Sequence, residues 1–237
     1  MVKKAHPKAL PAKPSASRHL NGRRQRRSAE TRERLFRAAL DLFARKGFTE
    51  TTVRDITEAA DVGKGTFFNY FPSKDHILLA FGEMQLAKLE TAVAEARASH
   101  EPMPHFLGSL GVRMTEEPIR NPAIVRALLQ AYLSTTAVRE AMLGLQRRAH
   151  ALHTEIVLVG QERGEIRRDL PAAEMAHVFR QTIFGTLLFW SLQGDASLHA
   201  RMESAFNVLW SGLTPRKADG SRPDAGLAGV PLFTCGD

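Results

Sequence analysis

Residues 47–75 read GFTETTVRDITEAADVGKGTFFNYFPSKD, and this stretch decides the fold. It divides into two short helices around a tight turn. Thr52 suits the N-cap of the first, and Val53, Ile56, Ala59 and Ala60 recur as its buried side. Asp61 and Gly63 bracket the turn around Val62. The second helix spans Lys64 to Phe71 and stops at Pro72, which cannot donate a helical hydrogen bond. Phe67 and Phe71 lie one helical turn apart, so both face inward, toward Val62, Ile56 and Phe43. That leaves Lys64, Gly65, Thr66, Phe68 and Asn69 on the outer face and N-terminal end.

Such a face suits the major groove of DNA. Thr66 and Asn69 can hydrogen-bond base edges, with Asn matched to adenine, and Lys64 can take a phosphate or a guanine. Phe68 offers only an apolar contact, for example to a thymine methyl. Gly65 allows close backbone approach to DNA. Thr52, Tyr70 and Lys74 are placed to hold phosphates, together with the amides that open the helix after Ser73.

Working outward, Leu35, Ala38, Ala39, Leu42 and Phe43 recur at helical spacing from about Ala29, and Gly47 follows as a C-terminal cap. A fourth helix, capped by Ser73, spans about Lys74 to Ser99. Prolines then partition helical patterns at about 104–116, 122–134, 136–163, 172–193 and 197–212. Gly164 to Pro171 reads as an exposed connection. Strand-period alternation and internal repeats are absent, so the chain is expected to be all-α.

Composition bounds the rest. The chain has 237 residues, 43 % of them hydrophobic, enough for a real core. No apolar run approaches the roughly 18 residues that a transmembrane helix needs. Cys235 is the only cysteine, which excludes a disulfide framework and a cysteine-built zinc site, and a reducing cytoplasm is expected. The net charge of +8 is uneven: residues 1–27 hold nine Lys and Arg and no acid, leaving the other 210 residues at −1. This segment is expected to be a disordered basic arm that adds a DNA contact through counterion release.

The segments TRERLFRAALDLFARKGF (31–48) and TTVRDITEAADVGKGTFFNYFPSKDHIL (51–78) resemble the DNA-binding domain of TetR-family transcriptional regulators, over residues 31 to 81 or so. The resemblance implies a three-helix helix-turn-helix domain at 28–73, joined by a long helix to a six-helix ligand-binding and dimerisation domain at 74–214. The arm (1–27) and a disordered tail (215–237) flank them. It further implies a homodimer on a palindromic operator in double-stranded DNA, released by a small apolar or amphipathic effector. Arg54 falls where relatives reach a base or phosphate. Lys64, Thr66, Phe68 and Asn69 fall on the recognition face, and Tyr70 and Lys74 on phosphate-contacting positions. The chain departs from the pattern at Asp61, Gly63 and Phe68, which stand for the usual Gly, Ser and Tyr. Asp tolerates a positive φ better than most residues.

In the larger domain a pocket would lie between helices. Phe106, Leu110, Met114, Leu128, Tyr132, Met142, His150, His153, Phe179 and Ile183 are the candidate lining, although each also suits plain core packing. Glu155 lies off the helix face shared by His150 and His153, so no metal site is assigned, and no cofactor is expected. Catalytic motifs are absent, and an enzyme is not expected. The last two helices are apolar on more than one face; Phe184, Leu188, Trp190, Phe206, Leu209 and Trp210 are the candidate dimer interface. The alternative reading is a constitutive or nucleoid-type DNA-binding protein without an effector.

Overall fold

The computed structural model describes residues 16–120, 122–133, 135–193 and 197–215, with side chains from residue 24 onward. Among the described residues all regular structure is helical: α1 Ala16–Lys46, α2 Val53–Ala59, α3 Lys64–Tyr70, α4 Asp75–Ala98, α5 Met103–Arg120, α6 Pro122–Tyr132, α7 Thr136–Glu162, α8 Ala172–Gln193 and α9 Leu198–Leu213. Most ends fall within a few residues of expectation. Two departures have physical causes.

The first is α1, which begins at Ala16 rather than near Ala29. Residues 16–27, expected to be disordered, are helical. No proline interrupts the chain between Pro14 and Pro72, and Arg, Gln, Ala and Leu are good helix formers. Residues 1–15 and the tail at 216–237 lie outside the described residues. The second is α5, which continues through Pro118. The proline ring removes the N–H that would have bonded the Met114 carbonyl. Gln85 on α4 donates to that carbonyl instead, at 3.3 Å, and Lys88 donates to the neighbouring Arg113 carbonyl at 2.8 Å while pairing with Glu117 at 2.9 Å. A neighbouring helix thus satisfies what the proline leaves open.

Two apolar cores organise the molecule. The first joins Leu35, Phe36 and Phe43 of α1, Ile56, Phe67 and Phe71, and continues into Ile77, Leu78 and Phe81 of α4, Ile124 and Ala127 of α6, and Met142 of α7. The helices α1, α2 and α3 therefore share their core with helices beyond residue 73. The second core gathers Leu86, Leu89, Met103, Phe106, Ile156, Met175, Phe206 and Trp210. Leu145 packs against both. It reaches α4 because Gly82 has no side chain: a Cβ there would lie 2.7 Å from Leu145 Cδ1.

Arg163, at the end of α7, donates to the carbonyls of Ala96, Ser99 and Glu101 and so closes the C-terminus of α4. The connection after it is not simply exposed. Ile166 is buried in the second core, and the Arg167 N–H bonds the Leu213 carbonyl at 2.8 Å.

Candidate nucleic-acid interface

The turn between α1 and α2 is held from three sides. Gly47 takes φ +84°, a conformation that costs a glycine little, and caps α1. Thr52 and Asp55 form a capping box: the Thr52 hydroxyl accepts from the Asp55 N–H at 3.1 Å, and the Asp55 carboxylate accepts from the Thr52 N–H at 2.8 Å. Lys46 pairs with Asp55 at 2.9 Å. The Thr52 N–H, then Lys46 and the Thr52 hydroxyl, hold the Asp55 carboxyl down at about 2. Thr57 rather than Ala59 is buried on α2; Ala59 is exposed.

Lys74 completes the turn. Its ammonium donates to the carbonyls of Phe48, Thr49 and Thr51 at 2.7, 3.1 and 3.0 Å, and lies 4.5 Å from the centre of the Phe48 ring. Burial pushes its pKa below the ordinary lysine value. In this structure the ammonium expected to hold a phosphate is engaged by these three protein carbonyls. The Thr52 hydroxyl, also expected to hold a phosphate, donates to Asp55 at 2.9 Å. Both residues hold the loop that aims the reading helix. The Ser73 hydroxyl bonds Asp75 and His76 side chains rather than capping α4 through a backbone amide.

Between α2 and α3, Asp61 adopts φ +51°, the positive value its short polar side chain tolerates. Gly63 N-caps α3 without a side-chain bond. Phe67 and Phe71 are buried, with ring centres 5.8 Å apart. On the opposite side Lys64, Gly65, Phe68 and Asn69 are exposed and Thr66 is half-buried. Phe68 is 48 % exposed, an unusual position for a phenyl ring with only a T-shaped contact to Phe67. Beyond its chain neighbours and the local backbone of α3, no protein atom lies within 4 Å of a Cβ placed on Gly65, so packing does not require glycine there.

Arg54 is exposed and pairs with Glu58 at 2.7 Å. The Tyr70 hydroxyl donates to Ser28 on α1 at 3.2 Å, a contact absent from the sequence reading. It links the reading helix to the stretch of α1 that carries exposed Arg24, Arg26 and Arg27.

The expected effector residues are divided between the cores. Phe106, Leu110, Met114, Phe179 and Ile183 belong with the second, and Leu128, Tyr132 and Met142 with the first. His153 faces inward near Phe179, and burial pushes it down to about 4, against the hydrogen bond to the Ala149 carbonyl at 2.7 Å. Sequence reasoning passed over Gln146 and Arg180. Gln146 donates to the Tyr132 hydroxyl and accepts from Arg180. The signal was available, since Gln146, His150 and His153 share one face of α7 at i, i+4 and i+7. An open depression between α4 and α7, lined by Leu79, Glu83, Leu145, Arg147 and Arg148 among others, includes none of the expected effector residues.

Of the expected dimer residues, Phe206 and Trp210 are buried within the protomer, 1 % and 4 % exposed, with their rings stacked. They are core, not interface. Phe184, Leu188, Trp190 and Leu209 are half-buried. The outward apolar face consists of Val178, Phe189 and Leu192 on α8 and Val208 on α9. Among the described residues no helix is long and apolar enough to cross a membrane, and no group of three His, Cys, Asp or Glu side chains converges on a point.

Residues 35–81 match the family model for bacterial regulatory proteins of the tetR family. The chain is 30 % identical over 212 residues to the HTH-type transcriptional regulator TcmR of Streptomyces glaucescens, covering 86 % of this chain and 92 % of that protein. It resembles the crystal structure of Thermus thermophilus FadR, a TetR-family transcriptional repressor in complex with lauroyl-CoA, with a TM-score of 0.60 and 30 % identity over 79 % of this chain and 97 % of that one. Bacillus subtilis FadR, in complex with stearoyl-CoA, shares the fold at a TM-score of 0.64 and 21 % identity, over 76 % of this chain and 98 % of that one.

Proposed function

Because this chain belongs to the TetR family of bacterial regulatory proteins, and is thus a DNA-binding transcriptional regulator rather than an enzyme, we propose that it is a homodimeric repressor released from a palindromic operator by a small amphipathic effector. One observation carries the reading. The exposed side of α3 presents Lys64, Gly65, Phe68 and Asn69, while Phe67 and Phe71 clamp its other side to the core. A helix so anchored enters the major groove with its polar edge toward the bases. The basic N-terminal part of α1 adds sequence-independent attraction to phosphates.

The effector acts through α4, whose N-terminal half belongs to the first core and whose C-terminal half belongs to the second. A ligand that shifts α4 against α7 changes the separation of the two reading helices, which must match successive major grooves about 34 Å apart. Lauroyl-CoA, the ligand seen with the Thermus thermophilus relative, is the first effector to assay.

Selection of binding sites from random DNA tests the operator, and a palindrome is the expected product. On that site, the Lys64→Ala/Asn69→Ala double variant should bind at least tenfold more weakly, since each base contact contributes about 1–3 kcal/mol. Wild-type affinity in this variant would remove α3 as the reading element. Sequence-blind, salt-sensitive binding would instead favour the constitutive alternative.

A further inference from the structure

The face of α8 toward α7 carries a guanidinium and two imidazoles that neither the fold nor DNA binding explains. Arg180 is half-buried, and its guanidinium donates to the Gln146 amide oxygen, a neutral acceptor. Among the described residues no carboxylate lies within ion-pair distance of it. His150 packs edge-on against His177, with ring centres 5.8 Å apart; His150 lies near Arg180, and His177 is exposed one turn before it on α8. The Nδ1 of His150 is buried and has no hydrogen-bond partner. The Tyr132 hydroxyl reaches the same spot through Gln146.

Taking a guanidinium partly out of water without an anion is costly, and a buried ring nitrogen without a partner adds to that cost. Proteins tolerate such groups where a ligand completes them. Met114, Leu145, Ile183 and Leu187 all pack against the second core yet remain only partly buried, and Leu145 marks the seam with the first core. Arg180, Ile183 and Leu187 follow one another on one face of α8 at i, i+3 and i+7.

Resting on the effector reading above, we propose that Arg180, with His150 near it and His177 one turn before it, seats the anionic head of an amphipathic effector whose apolar body lies along this seam. Bidentate capture of a carboxylate or phosphate is what a guanidinium does best. The ligand oxygens take the place of the Gln146 amide oxygen at the guanidinium, while the Gln146 N–H keeps its bond to Tyr132. The body then separates or wedges α7 against α8 at the level where Leu145 touches Gly82 of α4. Head recognition thus sits one contact away from the helix leading to the DNA-binding end.

The test uses the full-length protein, titrated calorimetrically with three probes of equal chain length, each below its micelle concentration: laurate, dodecyl phosphate and dodecanol. At least one anion should bind tenfold or more tightly than dodecanol. Laurate alone assigns a carboxylate head, dodecyl phosphate alone a phosphate, and both together a seat for either. Arg180→Gln should remove that preference while leaving DNA affinity intact, and Arg180→Lys should retain part of it. Gln146→Glu supplies a built-in carboxylate, so it should raise the melting temperature and weaken both anions at least tenfold. This variant is read by itself should Arg180→Gln fail to fold. Anion binding unchanged in both variants overturns the seat, as does failure of either anion to bind the wild type. Equal binding of dodecanol also overturns it, and release of operator DNA by dodecanol would then leave the effector reading standing without its anionic head.

Discussion

Gly65 separates folding from DNA reading at the level of one atom. It lies inside α3, where glycine costs stability relative to alanine, and a Cβ there would meet open space. Gly65→Ala should therefore leave the melting temperature unchanged or raise it, by up to about 1 kcal/mol of stability. Its operator affinity should nonetheless fall, because the methyl group keeps the helix from its closest approach to DNA. Equal affinity, measured by fluorescence anisotropy, would show that no backbone approach occurs at this position. His153 makes a different prediction. Its pKa is depressed from 6.5 to about 4 by burial, so in the folded state it stays neutral where the unfolded chain takes up a proton. Stability from this group is fully present above pH 6.5 and is lost as pH falls toward 4. At about 1.4 kcal/mol per pH unit, the loss is at most about 3 kcal/mol. Denaturant melts of the wild type and His153→Gln across this range should converge as the pH falls.

At the scale of elements, the reading helix is aimed by a turn rather than by its own length. With only seven residues, α3 depends on Phe67, Phe71 and the preceding loop for its direction. Thr52→Ala breaks the capping box at the start of α2 and should cost about 1 kcal/mol in denaturant unfolding, with Thr52→Ser close to wild type. The positive φ at Asp61 fits the position where the family resemblance puts a Gly. The bounds of α2 and α3 and the inward pair of phenylalanines were legible in the sequence because each follows from local chemistry. The occupation of Lys74 was not. Its three acceptors lie 23 to 26 residues away along the chain, on carbonyls that no pattern of side chains advertises. The passage of α5 through Pro118 was equally hidden, since the groups that rescue it belong to α4.

For the whole molecule, the proposed two-fold contact rests on the side of α8 and α9 turned away from the core. Val178, Phe189 and Leu192 are 50 %, 60 % and 61 % exposed, and Val208 on α9 is 70 % exposed. An apolar stripe of this kind on adjacent helices is the surface a second copy would cover. Phe189→Glu should weaken self-association at least tenfold in sedimentation equilibrium, leave helical content intact, and reduce operator affinity with it. An unchanged association constant would move the interface elsewhere. The sequence could not separate interface from core here, because α8 and α9 are apolar on several sides and periodicity does not say which side meets which neighbour. Phe206 and Trp210 went inward, and Phe189 and Leu192 stayed out, only once α9 had packed against α5 and α8.

The all-helical class, the helix-turn-helix and the residues on its outer face are written in the order of residues alone. These depend on caps, on proline and glycine positions and on three- and four-residue spacing, all interactions within one or two turns of chain. Only the tertiary structure decided which cations are free and which are engaged, and which aromatic residues form the core. It alone brought Arg180, Gln146, His150 and Tyr132 together from three helices. Burial and pairing of charge are properties of surfaces that meet in space, and the order of residues along the chain does not specify that meeting.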